Sequence, residues 1–332
     1  MKYYLYKHKY WFFLTIFYFL ATSIGFFILK DYGVHIEEKY HRLNGHYWLN
    51  YIAKVFHLEN LQLITENKIS QIYDYTLSPI TSWANKWGVV LDVPVAFLEI
   101  VFKLENIQQV YYLKHFLSYL IFLISSYFFF KIIDQRYKNF FLSVVGLIFY
   151  VTTPRVFGDS FLYKDILYLS FFTITLFFLL ESLKKFQNIT LIVFAFFLAL
   201  SFNLKFFTIL IPIIFGIILI SQNFYELRPK FFLKKYIFFI FFFCLFSYIF
   251  WPYLWSNPID RIVELFNFVK TNLTNVKLLY ANDYINNRFL PSSYLFNWIF
   301  ISSPIFQNLI FIIGFVICLI RAIKRLIKID KN

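Results

Sequence analysis

Tyr10-Trp-Phe-Phe-Leu-Thr-Ile-Phe-Tyr-Phe-Leu-Ala-Thr-Ser-Ile-Gly-Phe-Phe-Ile-Leu29 carries no charge, and Lys30-Asp31-Tyr-Gly-Val-His-Ile-Glu37-Glu38 follows it directly. About twenty predominantly apolar residues in a helix are long enough to cross the roughly 30 Å hydrocarbon core of a bilayer. Lys2, Lys7 and Lys9 precede the run, as they would in a signal peptide. No small-x-small cleavage site follows, so the run reads as an uncleaved anchor. An acidic stretch against the end of such a span is costly to hold near hydrocarbon, which makes it a functional candidate by default.

Working outward, the same criterion predicts about eight helices, near 10–29, 110–130, 139–153, 165–182, 189–203, 205–221, 236–252 and 297–320. The fifth and sixth are short and adjoin at Asn203-Leu-Lys205. The expected fold class is an all-α polytopic membrane protein, one domain over 1–332. Two extracytoplasmic segments, about 30–109 and 253–296, are expected to bear amphipathic helices. Composition agrees: 60% of residues are hydrophobic, with 49 Phe and 26 Tyr, and mean hydropathy is +0.62. A soluble domain of this size has too little interior for that much apolar surface.

The net charge of +14 would suit nucleic acid, but its distribution argues for topology instead. With the N-terminus inside, 1–9, 131–139, 183–188, 222–235 and 321–332 hold 17 of the 32 Lys and Arg. The 30–109 segment mixes seven Lys/Arg with nine Asp/Glu. Short basic loops inside and long mixed loops outside are the expected orientation signal, with both termini cytoplasmic. The excess positive charge can also touch anionic headgroups. Cys244 and Cys318 both fall inside apolar spans, so a disulfide is not expected.

Within 30–109, Trp48, Tyr51, Ile52, Val55 and Phe56 follow helical spacing. Pro79 and Trp83-Ala-Asn-Lys-Trp87-Gly88 read as turns, and 94–104 as a second amphipathic helix. Later, 259–270 is amphipathic, and Asn282-Asp283-Tyr-Ile-Asn-Asn-Arg288-Phe-Leu-Pro291 reads as an irregular return.

Counting spans puts three charged or aromatic loops on one side of the membrane. The first holds Asp31, Glu37 and Glu38. The second is Thr153-Pro-Arg155-Val-Phe-Gly-Asp159-Ser-Phe-Leu-Tyr-Lys164-Asp165, and the third surrounds Trp255 and leads to Arg288. Each has a plainer reading beside the functional one. Glu37 and Glu38 also fit solvated loop charges, and Arg155, Asp159, Lys164 and Asp165 a salt-bridged loop or headgroup anchors. Lys114-His115 reads first as an interfacial snorkelling pair and only second as part of a site. His35, His41, His46 and His57 match no familiar metal-ligand spacing, so no metal ligands are assigned.

Taken together these stretches resemble bacterial membrane glycosyltransferases of the GT-C superfamily, in the branch related to dolichyl-phosphate-mannose–protein mannosyltransferases. Ile36-Glu37-Glu38-Lys-Tyr-His-Arg42-Leu-Asn-Gly45 is similar to the acidic loop after their first helix, with Glu37 where Asp is usual. Lys114-His115 stands where those proteins often have Arg-His. The Pro154-Arg155…Lys164-Asp165 loop is the closest match in spacing and type; Trp251-Pro-Tyr-Leu-Trp255-Ser-Asn-Pro258 and Leu290-Pro-Ser-Ser-Tyr294 resemble a later loop.

The resemblance implies an inverting transferase of a bacterial inner membrane, moving a sugar from a polyprenyl-phosphate donor to a saccharide, lipid or protein acceptor at the outer face. Phosphate leaves without protonation, so such a reaction needs a carboxylate for the acceptor proton and cations for the developing phosphate charge. Glu37, with Glu38 beside it, is the expected base. Arg155, Lys164 and Arg288 are the expected phosphate contacts, with Asp159 and Asp165 orienting them or meeting sugar hydroxyls. No cofactor is required by these residues; some members of the superfamily use a divalent cation, so one stays open. Membrane lipid is an expected partner and nucleic acid is not. The alternatives are a transporter or flippase for a lipid-linked sugar, hinted at by Lys205 and Pro212, and a truncated, non-catalytic assembly partner, since many relatives continue beyond this length.

Overall fold

The computed structural model describes residues 2–35, 37–72, 86–163, 165–226, 229–271 and 277–329. The described residues are overwhelmingly helical, and five of their helices are long and apolar enough to cross a membrane. The first of these spans, Tyr10–Asp31, takes in most of α1 (Lys2–Ile28) and the short helical turn at 29–31, which leads to α2 (Glu38–Val55) and α3 (Glu59–Ile72). α4 (Asp92–Val101) precedes α5 (Ile107–Tyr137), whose 31 residues measure about 46 Å. That length exceeds the hydrocarbon core, so α5 carries its first turns toward the level of α2 and α4. Asn106 caps it, its side chain accepting from Gln108 N–H at 2.9 Å.

A two-residue link with Lys138 at φ 51° joins α5 to α6 (Phe140–Thr152). α6 is followed by the six-residue α7 (Pro154–Asp159), opened by a proline at a position where its missing N–H costs nothing. α8 (Asp165–Lys185), α9 (Asn188–Leu204), α10 (Leu210–Glu226) and α11 (Pro229–Ile249) complete the central bundle. Between α9 and α10 the backbone is extended at Lys205 and tightens at 206–209, so the two short apolar helices remain separate.

Lipid tails give helices no hydrophobic reason to associate, so van der Waals fit and small polar residues decide the contacts. Tyr119, Phe122, Leu147, Phe161 and Leu167 centre one core among α1, α5, α6 and α8. Phe194, Phe215 and Phe239 centre a second among α9, α10 and α11, with the Phe194 and Phe239 rings stacked at 4.7 Å. Buried Ser170 returns its hydroxyl to Ile166 O at 2.7 Å, and Thr175 meets Ser201 across α8 and α9 at 3.2 Å.

A third cluster, Trp48, Val89, Trp251, Tyr253, Leu254 and Leu265, joins the two external segments. It includes α12 (Pro258–Thr271), where an amphipathic helix was expected. The helical spacing read in 48–56 falls on α2: Trp48 is buried, Val55 and Phe56 are exposed, and the buried side runs through Gly45, His46, Leu49 and Ala53. A Cβ on Gly45 would come 2.4 Å from Asp92 O, so glycine there lets α2 close on α4. The expected turns at 79 and 83–85 lie outside the described residues.

The expected irregular return begins instead as a hairpin, β1 (Lys277–Tyr280) with β2 (Asp283–Asn286). Ala281 and Asn282, both at positive φ, form its two-residue turn, which matches the twist of paired strands. The single span expected over 297–320 is two helices, α13 (Tyr294–Ser302) and α14 (Ile305–Ile329). Pro304 forces the break: it lacks an N–H, and Ser303 before it is extended. Gln307 Nε2 donates to Thr153 Oγ1 at 3.0 Å, which seats the start of α14 beside α7.

Candidate functional site

The acidic start of α2 divides into two environments. Glu37 is half-buried at the rim, and its backbone N–H meets His35 Nδ1 at 3.3 Å. Glu38, one residue on, is fully buried. Its carboxylate oxygens lie 2.9 and 3.0 Å from His115 Nε2. Lys114 Nζ donates to Glu38 O at 3.3 Å and sits 4.1 Å from the centre of the Tyr163 ring. Lys114 and His115 are therefore interior residues, not the snorkelling pair expected.

Around this pair lie acids not singled out in the sequence. Asp92 Oδ2 meets His41 Nδ1 at 3.2 Å and accepts from Asn44 Nδ2 at 3.0 Å. Burial pushes the Asp92 carboxyl up, but His41, Lys114 and Tyr163 outweigh it and hold it below the usual range. Tyr163 responds the other way: burial, then the negative Asp92, push its phenol well above its ordinary value. Glu99, one α4 heptad after Asp92, accepts from Arg42 Nε at 3.0 Å and Nη2 at 2.6 Å. His46 Nε2 at 3.1 Å and Lys68 Nζ at 3.3 Å complete its partners. Burial raises this carboxyl too, but His46 and Arg42 prevail and bring it to about 2. A narrow cleft between α2, α4 and α5 is lined by His41, Arg42, Asp92, Glu99, Tyr111 and Lys114.

The second loop docks onto this cluster through aromatics. Tyr32 lies 4.3 Å from the Phe161 ring, and its hydroxyl reaches toward Phe157 O at 3.5 Å. Burial and then the Asp159 charge raise the Tyr32 phenol. Tyr163 stands 4.4 Å from the His41 ring. Arg155 Nε donates to Asp159 Oδ2 at 2.9 Å across one turn of α7, with the side chains 68% and 36% exposed. Lys164 and Ile36 lie outside the described residues.

The remaining expected residues are more dispersed. Asp165 pairs with Lys205 at 2.8 Å, joining the start of α8 to the end of α9 instead of orienting Arg155. Asp31 is exposed at the end of the first span. Trp255 donates its indole N–H to Tyr248 O at 2.8 Å and closes the end of α11. Arg288 is exposed in the turn after the hairpin, where its backbone N–H donates to Asn286 Oδ1 at 3.0 Å. Among the described residues no three His, Cys, Asp or Glu side chains gather in a metal-binding arrangement. His41, His46 and His115 each give one ring nitrogen to a carboxylate.

Asp92 and Glu99 had a legible signal. With Val95 and Ala96 they occupy positions i, i+3, i+4 and i+7, the buried stripe of α4, so two acids stand where apolar residues belong. Chemically, the arrangement offers a rim carboxylate beside a rigid buried charge network and an exposed guanidinium on a neighbouring loop. Comparison with family models, with curated proteins and with solved structures finds no match to this chain.

Proposed function

We propose that this protein is an inverting glycosyltransferase that takes a sugar from a polyprenyl-phosphate donor at a membrane surface. One observation carries the reading: two charged loops far apart in sequence meet at one face, through Tyr32 on Phe161 and through His41 and Lys114 on Tyr163. Buried charges of this kind, in a chain otherwise so apolar, are expensive to keep without a use.

In this reading Glu37 takes the proton of the acceptor hydroxyl as that oxygen attacks the anomeric carbon. The bond to the donor phosphate breaks on the opposite face, and its electron pair leaves with the polyprenyl phosphate. Arg155 and Lys164 hold the developing charge, Arg155 as a planar two-point donor, with Asp159 orienting it. Glu38 is too enclosed for the acceptor to reach. It positions α2 by pinning it to His115 and Lys114, so that Glu37 stays at the rim. The basic short loops support a bacterial inner membrane with cytoplasmic termini and the site on the outer face. Of the two hints toward a transporter, Lys205 and Pro212, the first is paired with Asp165 at helix ends.

The test is transfer in reconstituted membranes from a mixed pool of polyprenyl-phosphate sugars. Wild type should release polyprenyl phosphate, and Glu37→Gln should do so at least about 100-fold more slowly with donor binding intact. Equal release by both removes Glu37 as the base; no release by folded wild type removes the transferase reading.

A further inference from the structure

α12 presents three distinct sides. Arg261, Glu264, Leu265 and Phe268 face the protein. Glu264 pairs with Lys86 and Arg261, each at 2.8 Å, Lys86 Nζ lies 4.5 Å from the Phe268 ring centre, and Leu265 is buried in the cluster joining the external segments. Away from that side run Ile259, Ile262, Val263 and Phe266, at i, i+3, i+4 and i+7. All four are exposed, Ile259 by 78% and Phe266 by 73%. Asp260 and Asn267 are exposed between the two. Over 259–266 the helix leaves an apolar stripe outside the fold, with Asp260 and Asn267 along one edge.

The level at which this stripe lies is fixed by its neighbours. α12 begins at Pro258, shortly after α11, a membrane-span candidate, ends at Ile249. The connection folds back on the span, because Trp255 bonds Tyr248 O in its last turn. Lys86 O in turn accepts from Trp251 Nε1 at 3.0 Å, so the segment that clamps Glu264 is held at the same end of α11. The Trp255 ring centre lies 6.5 Å from that of exposed Phe56.

We infer that α12 lies in the plane of the membrane interface, its Ile259, Ile262, Val263 and Phe266 stripe sunk among lipid headgroups and upper acyl chains while Lys86 and Tyr253 hold its other side. Its occupant is lipid. The stripe lies on a helix tied to the end of a span candidate, and aromatic and large aliphatic residues opposite a charged side are the pattern of in-plane helices. This inference does not depend on the transferase reading and is tested without substrate.

The full chain, with Cys244→Ala and Cys318→Ala, is spin-labelled at Ile259→Cys, Val263→Cys or Phe266→Cys, and at Asp260→Cys as the contrast, then placed in phospholipid nanodiscs. Labels at 259, 263 and 266 should collide mainly with oxygen, which partitions into lipid, and the label at 260 mainly with a water-soluble nickel chelate. Chelate-dominated collisions at all four positions would overturn the inference by placing the helix in water. Low collision with both reagents at the stripe would overturn it in favour of a protein cover. A photoactivatable phospholipid applied to the unsubstituted chain should insert into the peptide 259–266, and absence of insertion there would count against lipid contact whatever the variants do.

Discussion

Two groups of charges meet at the same face of this protein and live under opposite physics. In the α2–α4–α5 cluster, Glu38, Asp92 and Glu99 are buried and each holds at least one cation or imidazole. On α7, Arg155 and Asp159 face each other across a helical turn in open surroundings. A buried carboxylate loses most of its hydration, so its partners must restore what water supplied, and removing either member strands the other. An exposed pair loses little and gains little. The lesson is that the two groups are not interchangeable: the first fixes where α2 sits, and the second stays open to solvent.

The strongest test removes an anchor. Glu99→Ala leaves Arg42, His46 and Lys68 around an empty position and should cost about 3–5 kcal/mol, read as a lowered unfolding midpoint in detergent. A change no larger than that of a surface mutation would erase the distinction between the two groups.

Acid should act on the same anchor more gradually. Because Glu99 titrates at about 2 when folded, below its ordinary 4.5, the fold favours its ionised form. Its contribution is complete above the unfolded value and fades as pH falls from about 4.5 toward 2, so the unfolding midpoint should fall across that window. Glu99→Gln should flatten the decline. Glu264 is also brought to about 2, first by its bond from Lys86, yet its side chain is 42% exposed, so solvent screens it and Glu264→Gln should leave most of the slope in place. The opposite ranking of the two variants would contradict the claim that solvent screens the exposed Glu264 pair more than the buried Glu99 pairs.

The smallest expected change in stability, under about 1 kcal/mol, belongs to Arg155→Ala. The same variant should weaken donor-phosphate binding by about 10–100-fold, the loss of a charged hydrogen bond or two. Unchanged donor affinity in equilibrium binding would reduce Arg155 to a surface charge.

How much of this was legible follows the same divide. The apolar helices and the Arg155–Asp159 pair are local: each is written in consecutive residues or in an i, i+4 spacing, and the structure has them close to where the sequence put them. The pairing of Glu38 with His115 joins elements remote in sequence, and nothing in a periodic pattern states which acid meets which base. Asp92 and Glu99 were legible as two acids on the apolar stripe of α4, but their partners, His41, Arg42 and His46, lie on another helix and no local spacing states them. The hairpin at 277–286 escaped because four-residue strands give almost no alternation to count, and its turn is Ala-Asn, not a glycine pair. Pro304, which breaks the last expected span, was legible and was outweighed by the apolar run around it.

The separation of Glu38 from His115, 77 residues along the chain, has a consequence for synthesis. A ribosome adding about 5–20 residues per second completes that interval in about 4–15 s. Throughout it the first span has been made, but the imidazole that will meet Glu38 at the start of α2 does not yet exist. α2 must wait in water or among headgroups, its acids hydrated, until α5 arrives. Arrival of α5 then converts a segment that no bilayer would accept into one that can close over its own charges, so the order of translation is also the order in which the site becomes dry.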